Sequence, residues 1–168
     1  MHRRPRTLGV VLLCLATSAA CGTVDLSKTI QVVDVQSGYY DSGVKDGKNY
    51  LRPQITFRLK NISAEPINSV GLTVAFWRQG ADGEWDSVLH QGIGSSALAP
   101  GMATEPITAR LGVGYTLEGA RADFFTNSHF QDVTAKIFAK RSGKIFRMGE
   151  YKLEHLIIPT EPRDAPRP

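Results

Sequence analysis

The stretch QITFRLK, residues 54–60, decides the fold class. Its apolar residues Ile55, Phe57 and Leu59 alternate with polar ones, which is the pattern of a β-strand with one buried face and one hydrated face. The three apolar side chains are therefore predicted to point into a core. A shift of one residue would send all three to solvent, so the register is strongly specified.

A turn and a second alternating run follow this strand. Residues 61–66 have turn chemistry, and residues 70–76 again place an apolar side chain at every second position. The sequence predicts that residues 54–60 and 70–76 are antiparallel neighbours. Residues 80–83 then form a hairpin loop, since Asp-Gly suits positive φ angles. The tryptophans on either side of that loop, Trp77 and Trp85, are predicted to pair across it.

Further strands are predicted in residues 104–111, 133–139 and 146–157, separated by glycine and proline turns. The apolar positions change phase near Gly149, which indicates a β-bulge. No long stretch has the 3.6-residue period of a helix. The predicted fold is therefore an all-β, immunoglobulin-like antiparallel sandwich of about seven strands over residues 29–159.

Residues 54–111 resemble the FxLYD-type immunoglobulin-like domains of bacterial envelope lipoproteins. The resemblance is carried by Asn61-Ile-Ser63 after a strand, by the alternating run LTVAF at 72–76, and by the Leu-Ala-Pro-Gly turn at 98–101. It implies an immunoglobulin-like fold and a place in the cell envelope. It implies no catalytic residue and no cofactor.

The N-terminal segment is typical of a secretory signal peptide. Residues 1–20 contain three arginines, then the apolar run 8–16, then the small residues 17–20. The apolar run is much shorter than the roughly 20 residues that a membrane-spanning helix needs. We expect residues 1–20 to be removed on export.

Cys21 follows Ser-Ala-Ala and resembles the lipidated cysteine of the bacterial lipobox. This resemblance implies that Cys21 is acylated and that the protein is held in the cell membrane or the outer membrane, facing the periplasm. Ordinary signal-peptidase cleavage at the same bond is the alternative. Residues 21–28 are predicted to be a short tether and residues 160–168, with three prolines, a disordered tail.

Composition excludes several classes of function. Removing residues 1–20 takes three of the 20 Lys and Arg residues and none of the 16 Asp and Glu residues, so the mature net charge is about +1. This charge gives no electrostatic support for a nucleic-acid partner. Only Cys21 remains as a cysteine, which excludes an intramolecular disulfide and a cysteine-based metal site.

No pattern in the sequence supports an enzyme or a cofactor. Three histidines remain after cleavage and none has the spacing of a metal-binding pair; His155 is predicted to face inward as a hydrogen-bonded structural residue. Nucleophile-elbow, P-loop and zinc-protease motifs are missing. Two acidic loops, around Asp41 and Asp82, could hold calcium, but solvated hairpin tips are the favoured interpretation.

The candidate binding site is the segment of residues 37–50, predicted to be a long loop. It contains Tyr39, Tyr40 and Tyr50 among Asp, Gly and Lys residues, which is a composition that binding loops favour. The alternative is a β-hairpin whose tyrosines cover the edge of the core. The sequence therefore predicts a non-enzymatic module that contacts an envelope protein, with a small ligand or glycan as the alternative target.

Overall fold

A computed structural model describes residues 24–159 of the chain. The predicted signal peptide 1–20, Cys21 and the predicted tail 160–168 lie outside the described residues.

The described residues form nine strands, one short α-helix and one 3₁₀ helix. The strands are β1 Ile30–Lys45, β2 Lys48–Asn61, β3 Val70–Arg78, β4 Glu84–Ile93, β5 Ile107–Arg110, β6 Tyr115–Leu117, β7 Val133–Arg141, β8 Lys144–Lys152 and β9 Ile157–Ile158; the helices are α1 Leu26–Thr29 and the 3₁₀ helix Arg121–Thr126.

The strands are arranged in two sheets that enclose the core. The first sheet has the order β5-β2-β1-β9, with β6 also paired to β2, and the second has the order β4-β3-β7-β8. All pairs are antiparallel except β1 with β9. The predicted antiparallel β-sandwich is confirmed. The strand count exceeds the expected seven because β6 and β9 have three and two residues, too few for a readable alternation.

Residues 54–60 and 70–76 are not neighbours, so that prediction is wrong. The first run belongs to β2, which pairs with β1, β5 and β6, and the second to β3, which pairs with β4 and β7. The two runs lie in opposite sheets and contribute to the same core. Alternation reveals which side chains face inward, but it carries no information about which strand lies alongside.

The predicted core positions are confirmed. Ile55, Phe57 and Leu59 are fully buried, as are the equivalent positions of β3 and β7. These two sets meet between the sheets, where period-two alternation sends every second side chain. The β3 and β7 positions are Leu72, Val74, Phe76, Val133, Ala135, Ile137 and Ala139.

The folded region begins within the predicted tether 21–28. Helix α1 covers Leu26–Thr29, and the Leu26 side chain is fully buried. Asp25 caps this helix by accepting a hydrogen bond from the Ser27 amide at 3.1 Å. The tether prediction is therefore wrong for the residues from Leu26 onward, because the Leu26 side chain packs into the core and fixes α1 to the domain.

The turn after β2 is organised by Asn61, as its sequence predicted. The Asn61 side chain is fully buried, and its Nδ2 donates to the carbonyls of Glu65 at 2.8 Å and Leu98 at 2.9 Å. Its Oδ1 accepts from the Ser63 amide at 2.9 Å and the Ser63 hydroxyl at 2.7 Å. Because every polar atom of this buried amide is satisfied, Asn61 holds the turn against the loop at Leu98.

The expected bulge near Gly149 is confirmed by the register of β7 and β8. Gly149 lies opposite Ile137 and Arg147 lies opposite Phe138, so Met148 is the extra residue. This bulge explains the change of phase in the apolar pattern of the last long strand.

The predicted pairing of Trp77 with Trp85 is wrong. Trp77 lies opposite Glu84, and adjacent residues of a strand project from opposite faces, so Trp85 projects away from Trp77. Lys136 Nζ lies 4.1 Å from the centre of the Trp77 ring, while Trp85 packs on Tyr115 with ring centres 5.0 Å apart.

Candidate functional site

The tyrosine-rich segment of residues 37–50 is a β-hairpin rather than a long loop. It consists of the end of β1, a tight turn at Asp46 and Gly47 with positive φ angles of 51° and 76°, and the start of β2. A register shift between Asp41 and Val44 interrupts the alternation there, and Gly43 at the shift is a residue typical of loops. The hairpin of the alternative is confirmed, but of its tyrosines only Tyr39 packs into the core.

Tyr39 belongs to the core, so its predicted exposure in a binding loop is wrong. The side chain is fully buried, and its ring lies 5.3 to 5.5 Å from the rings of Phe124, Phe125 and Phe130. Burial raises the pKa of Tyr39, so the phenol stays neutral. Its hydroxyl finds no hydrogen-bond partner among the described residues. Tyr39 acts as a packing residue with one polar atom unsatisfied.

Tyr40 and Tyr50 lie on the outer surface of the first sheet and are half-buried. They project outward because Tyr39 and Leu51, their chain neighbours, point into the core. The Tyr50 hydroxyl donates to the Gly112 carbonyl at 3.0 Å. Of the three predicted site residues, the structure therefore leaves these two available at the surface.

Two arginines from different strands converge on the Tyr40 ring. The guanidinium carbon of Arg110 lies 3.3 Å from the ring centre, and that of Arg52 lies 5.8 Å from it. The Nε of Arg110 donates to Gln54 Oε1 at 2.6 Å, and the Nε of Arg52 donates to Ser42 Oγ at 2.7 Å. Each guanidinium is thereby fixed by one hydrogen bond and one aromatic contact.

These arginines project from two strands without acidic residues, while Asp34 and Asp41 lie on the neighbouring strand β1. Strands β2 and β5 contain no Asp or Glu. Neither Arg52 nor Arg110 forms an ion pair with any carboxylate of residues 24–159. We call this surface the basic face; it consists of Tyr40, Tyr50, Arg52, Arg58, Lys60 and Arg110.

Sequence reasoning found the tyrosines of the basic face and missed its arginines. Arg52 and Arg110 are 58 positions apart in the chain, and they meet because β5 lies beside β2 with Arg110 opposite Gln54. The available signal was the outward phase of Arg52 and Arg58 in an alternating strand. That signal gives the side of the sheet but not the strand that completes the surface.

A second polar cluster lies beside the aromatic core around Tyr39. His155 Nε2 lies 2.6 Å from Asp132 Oδ1, and the His155 ring stacks on Phe125 with centres 4.7 Å apart. Lys152 Nζ lies 2.7 Å from the other oxygen of Asp132. The prediction that His155 is hydrogen-bonded is confirmed. Its predicted inward orientation is wrong, because its side chain is 49% exposed and covers the edge of the aromatic cluster.

Asp132 provides a test of this cluster by pH. The hydrogen bonds from Lys152 and His155 lower the pKa of Asp132 below its usual range. A carboxyl with a lowered folded pKa stabilises the protein above its unfolded pKa of about 3.9 and loses that contribution as pH falls through the folded value. We therefore expect Asp132→Asn to lower the melting temperature at pH 6 and to make less difference near pH 2.5.

The measurement is thermal unfolding of both proteins at intervals from pH 6 to pH 2.5. Asp82→Asn, at the exposed tip of the β3–β4 hairpin, is the control for a general loss of negative charge. An Asp132→Asn deficit that is the same at every pH would show that the ion pairs of Asp132 contribute nothing to stability.

The acidic segments considered for calcium belong to hairpins of different sheets. Asp41 forms an ion pair with Arg121 at 2.6 Å and accepts from the Gly43 amide at 2.8 Å. Within residues 24–159 no group of three or more His, Cys, Asp or Glu side chains is placed to hold a metal ion. Asp41 is thus occupied with contacts inside the protein.

Comparison with known protein families and with curated proteins finds no match for this sequence. In the part of the chain that the structure describes, no helix is long and apolar enough to cross a membrane. The function is therefore argued from the basic face and from the N-terminal sequence.

Proposed function

We propose that this protein is an exported lipoprotein, anchored through Cys21 in the cell membrane or outer membrane and facing the periplasm. Its β-sandwich is non-catalytic and binds a protein partner in the cell envelope through the basic face. One observation carries the proposal: Arg52 and Arg110 are held around Tyr40 at the surface, with no carboxylate of the described chain to neutralise them.

The chemistry of the basic face suits a protein interface. Tyrosine and arginine are enriched among the residues that contribute most to binding, because they combine a large contact area with directional hydrogen bonds. The aromatic side chains lie on a paired sheet rather than on a loop, so little conformational entropy is lost when a partner orders them. These properties support a binding surface, and none of them depends on a catalytic step.

The position of the basic face suits a tethered protein. The described chain enters the domain through α1, which leads directly into β1 at Ile30. Tyr40 lies ten residues further along β1 than Ile30, which corresponds to about 30 Å at the rise of a β-strand. The Tyr40 end of the basic face is therefore far from the point where the tether enters.

A glycan or small ligand is the second candidate, and one observation favours it. An open depression of about 400 Å³ is lined by Trp77, Lys136 and Lys152, and the buried Nε1 of Trp77 has no partner among the described residues. An indole ring beside charged side chains offers an apolar surface and polar groups to a ligand such as a saccharide. A rise in melting temperature with a saccharide, lost in Trp77→Phe, would support this alternative.

The proposal is tested by fractionating cells that produce the wild-type chain or Cys21→Ser, after amine-reactive cross-linking in the intact envelope. We expect wild type in the membrane fraction with a discrete cross-linked species of higher mass. Cys21→Ser should move to the soluble envelope fraction, because a lipid chain is the only anchor proposed. Membrane retention of Cys21→Ser rules out the tether, and a wild-type protein that forms no cross-linked species rules out the partner.

A further inference from the structure

We infer that the partner binds Arg52 and Arg110 through carboxylates, so the ligand of the basic face is an acidic protein segment. This inference rests on the proposed function, because it specifies the chemistry of the same surface. Three observations support it. Arg52 and Arg110 form no ion pair within residues 24–159, their side chains are held by hydrogen bonds, and they lie away from the start of β1.

The two guanidinium groups retain donors for a ligand. Arginine has five N–H donors. Within residues 24–159, Arg52 and Arg110 each use only the Nε in a hydrogen bond to another side chain. The terminal amino groups remain, and their planar arrangement matches the two oxygens of a carboxylate. Because Ser42 and Gln54 hold the Nε atoms, less side-chain freedom is lost on binding.

The positive charge of the basic face favours an acidic partner. Four cationic side chains, Arg52, Arg58, Lys60 and Arg110, project from β2 and β5, and neither strand contains an acidic residue. The mature chain as a whole has a net charge of only about +1, so this face is positive because charge is distributed unevenly. A ligand that presents several negative groups along a strand would complement it.

An anionic bilayer could present phosphates with similar chemistry, and we favour a protein because the two fixed arginines lie at the end of the face away from the tether. The tether enters at the start of β1, whereas Tyr40, with Arg52 opposite it, lies about 30 Å along that strand. Attraction to a charged membrane falls within a Debye length, about 8 Å at physiological salt. Lys60 and Arg58 lie opposite Gln31 and Val33 at the tether end, so the cations remote from the tether along the strand are Arg52 and Arg110, and we assign the acidic segment to these two.

The experiment measures binding of a fluorescent peptide of ten glutamates to the full chain as purified from its cells. We expect saturable binding that weakens as salt rises from 50 to 300 mM, and no binding of a ten-glutamine peptide. Arg52→Gln and Arg110→Gln should each weaken binding about tenfold, the factor that corresponds to one lost charge-assisted contact. Lys140→Gln, an exposed lysine on the second sheet, should leave it unchanged.

Arg110→Lys guards against a loss of folding, since it keeps the charge and removes the planar fork. We expect this variant to melt like wild type and to bind the peptide more weakly. Equal peptide affinity in wild type and the Arg52→Gln, Arg110→Gln double variant would overturn the inference. Binding to phosphatidylglycerol vesicles but not to the peptide would also overturn it, in favour of a membrane surface.

The outcome separates this inference from the proposed function. If the envelope cross-link forms with wild type and persists in the double arginine variant, a partner exists and the acidic chemistry is wrong. If the peptide binds through Arg52 and Arg110 but no envelope cross-link forms, the anion site exists and the proposed partner is wrong.

Discussion

Replacing Phe57 with alanine is expected to lower the free energy of unfolding by about 3 to 5 kcal/mol. Phe57 is fully buried on the inner face of β2, opposite Ile107 of β5. Alanine removes the whole ring, and the surrounding strands are held by backbone hydrogen bonds that prevent them from closing the cavity. Urea unfolding followed by tryptophan fluorescence measures the change through the midpoint and slope.

The controls for Phe57→Ala lie on either side of it in the same strand. Thr56 and Arg58 are half-buried on the outer surface, so Thr56→Ala and Arg58→Ala should stay within about 1 kcal/mol of wild type. A cost below 1 kcal/mol for Phe57→Ala would mean that β2 has the opposite register.

Replacing Tyr39 is expected to have an effect of similar size that depends on what is removed. Tyr39→Ala should cost about 3 to 5 kcal/mol because it empties the centre of an aromatic cluster. Tyr39→Phe keeps the ring and removes a buried hydroxyl that has no partner among the described residues. We expect Tyr39→Phe to be as stable as wild type or more stable by about 1 kcal/mol.

Thermal and urea unfolding of both Tyr39 variants decide between packing and binding. Tyr40→Phe is the matched control, since the neighbouring ring lies on the outer surface and its loss of a hydroxyl should not change stability. If Tyr39→Phe is destabilised by more than about 1 kcal/mol, the hydroxyl has a partner and the packing described for it is wrong.

The burial of Tyr39 changes how the tyrosine-rich hairpin can be tested. Serine at positions 39, 40 and 50 together would combine damage to the core with two surface changes, and a loss of binding would have no single cause. Substitutions at Tyr40 and Tyr50 leave the aromatic cluster intact, because both side chains project from the other side of the sheet. Of the three tyrosines, only Tyr40 and Tyr50 are therefore suitable positions for probing the basic face.

The sequence predicted the inward faces of β2, β3 and β7; it did not predict most of β1, and it could not show which strands are neighbours. Ile55, Phe57 and Leu59 were identified as core residues from alternation alone, and they are buried. Residues 70–76 were wrongly placed beside them, because pairing between strands depends on long-range contacts that periodicity does not encode. The short strands β6 and β9 escaped prediction for lack of a repeating pattern.

The sequence predicted the tyrosines of the candidate site but not how its residues come together. Three tyrosines marked the correct hairpin, but a register shift between Asp41 and Val44 disguised its strands, so Tyr39 was not separated from Tyr40. Arg110 reaches Tyr40 only because β5 packs beside β2. A site that forms across three strands becomes visible only when the order of the sheet is known.

The most direct test of partner binding through the basic face is photo-cross-linking in intact cells from one defined position. A photoreactive phenylalanine analogue in place of Tyr50 samples the basic face, and the same analogue in place of Phe138 samples the outer surface of the second sheet. Both positions are half-buried and aromatic, which makes them matched probes. We predict a discrete product of higher mass from position 50 and none from position 138. A product from position 138 alone, or from neither position, would contradict the account.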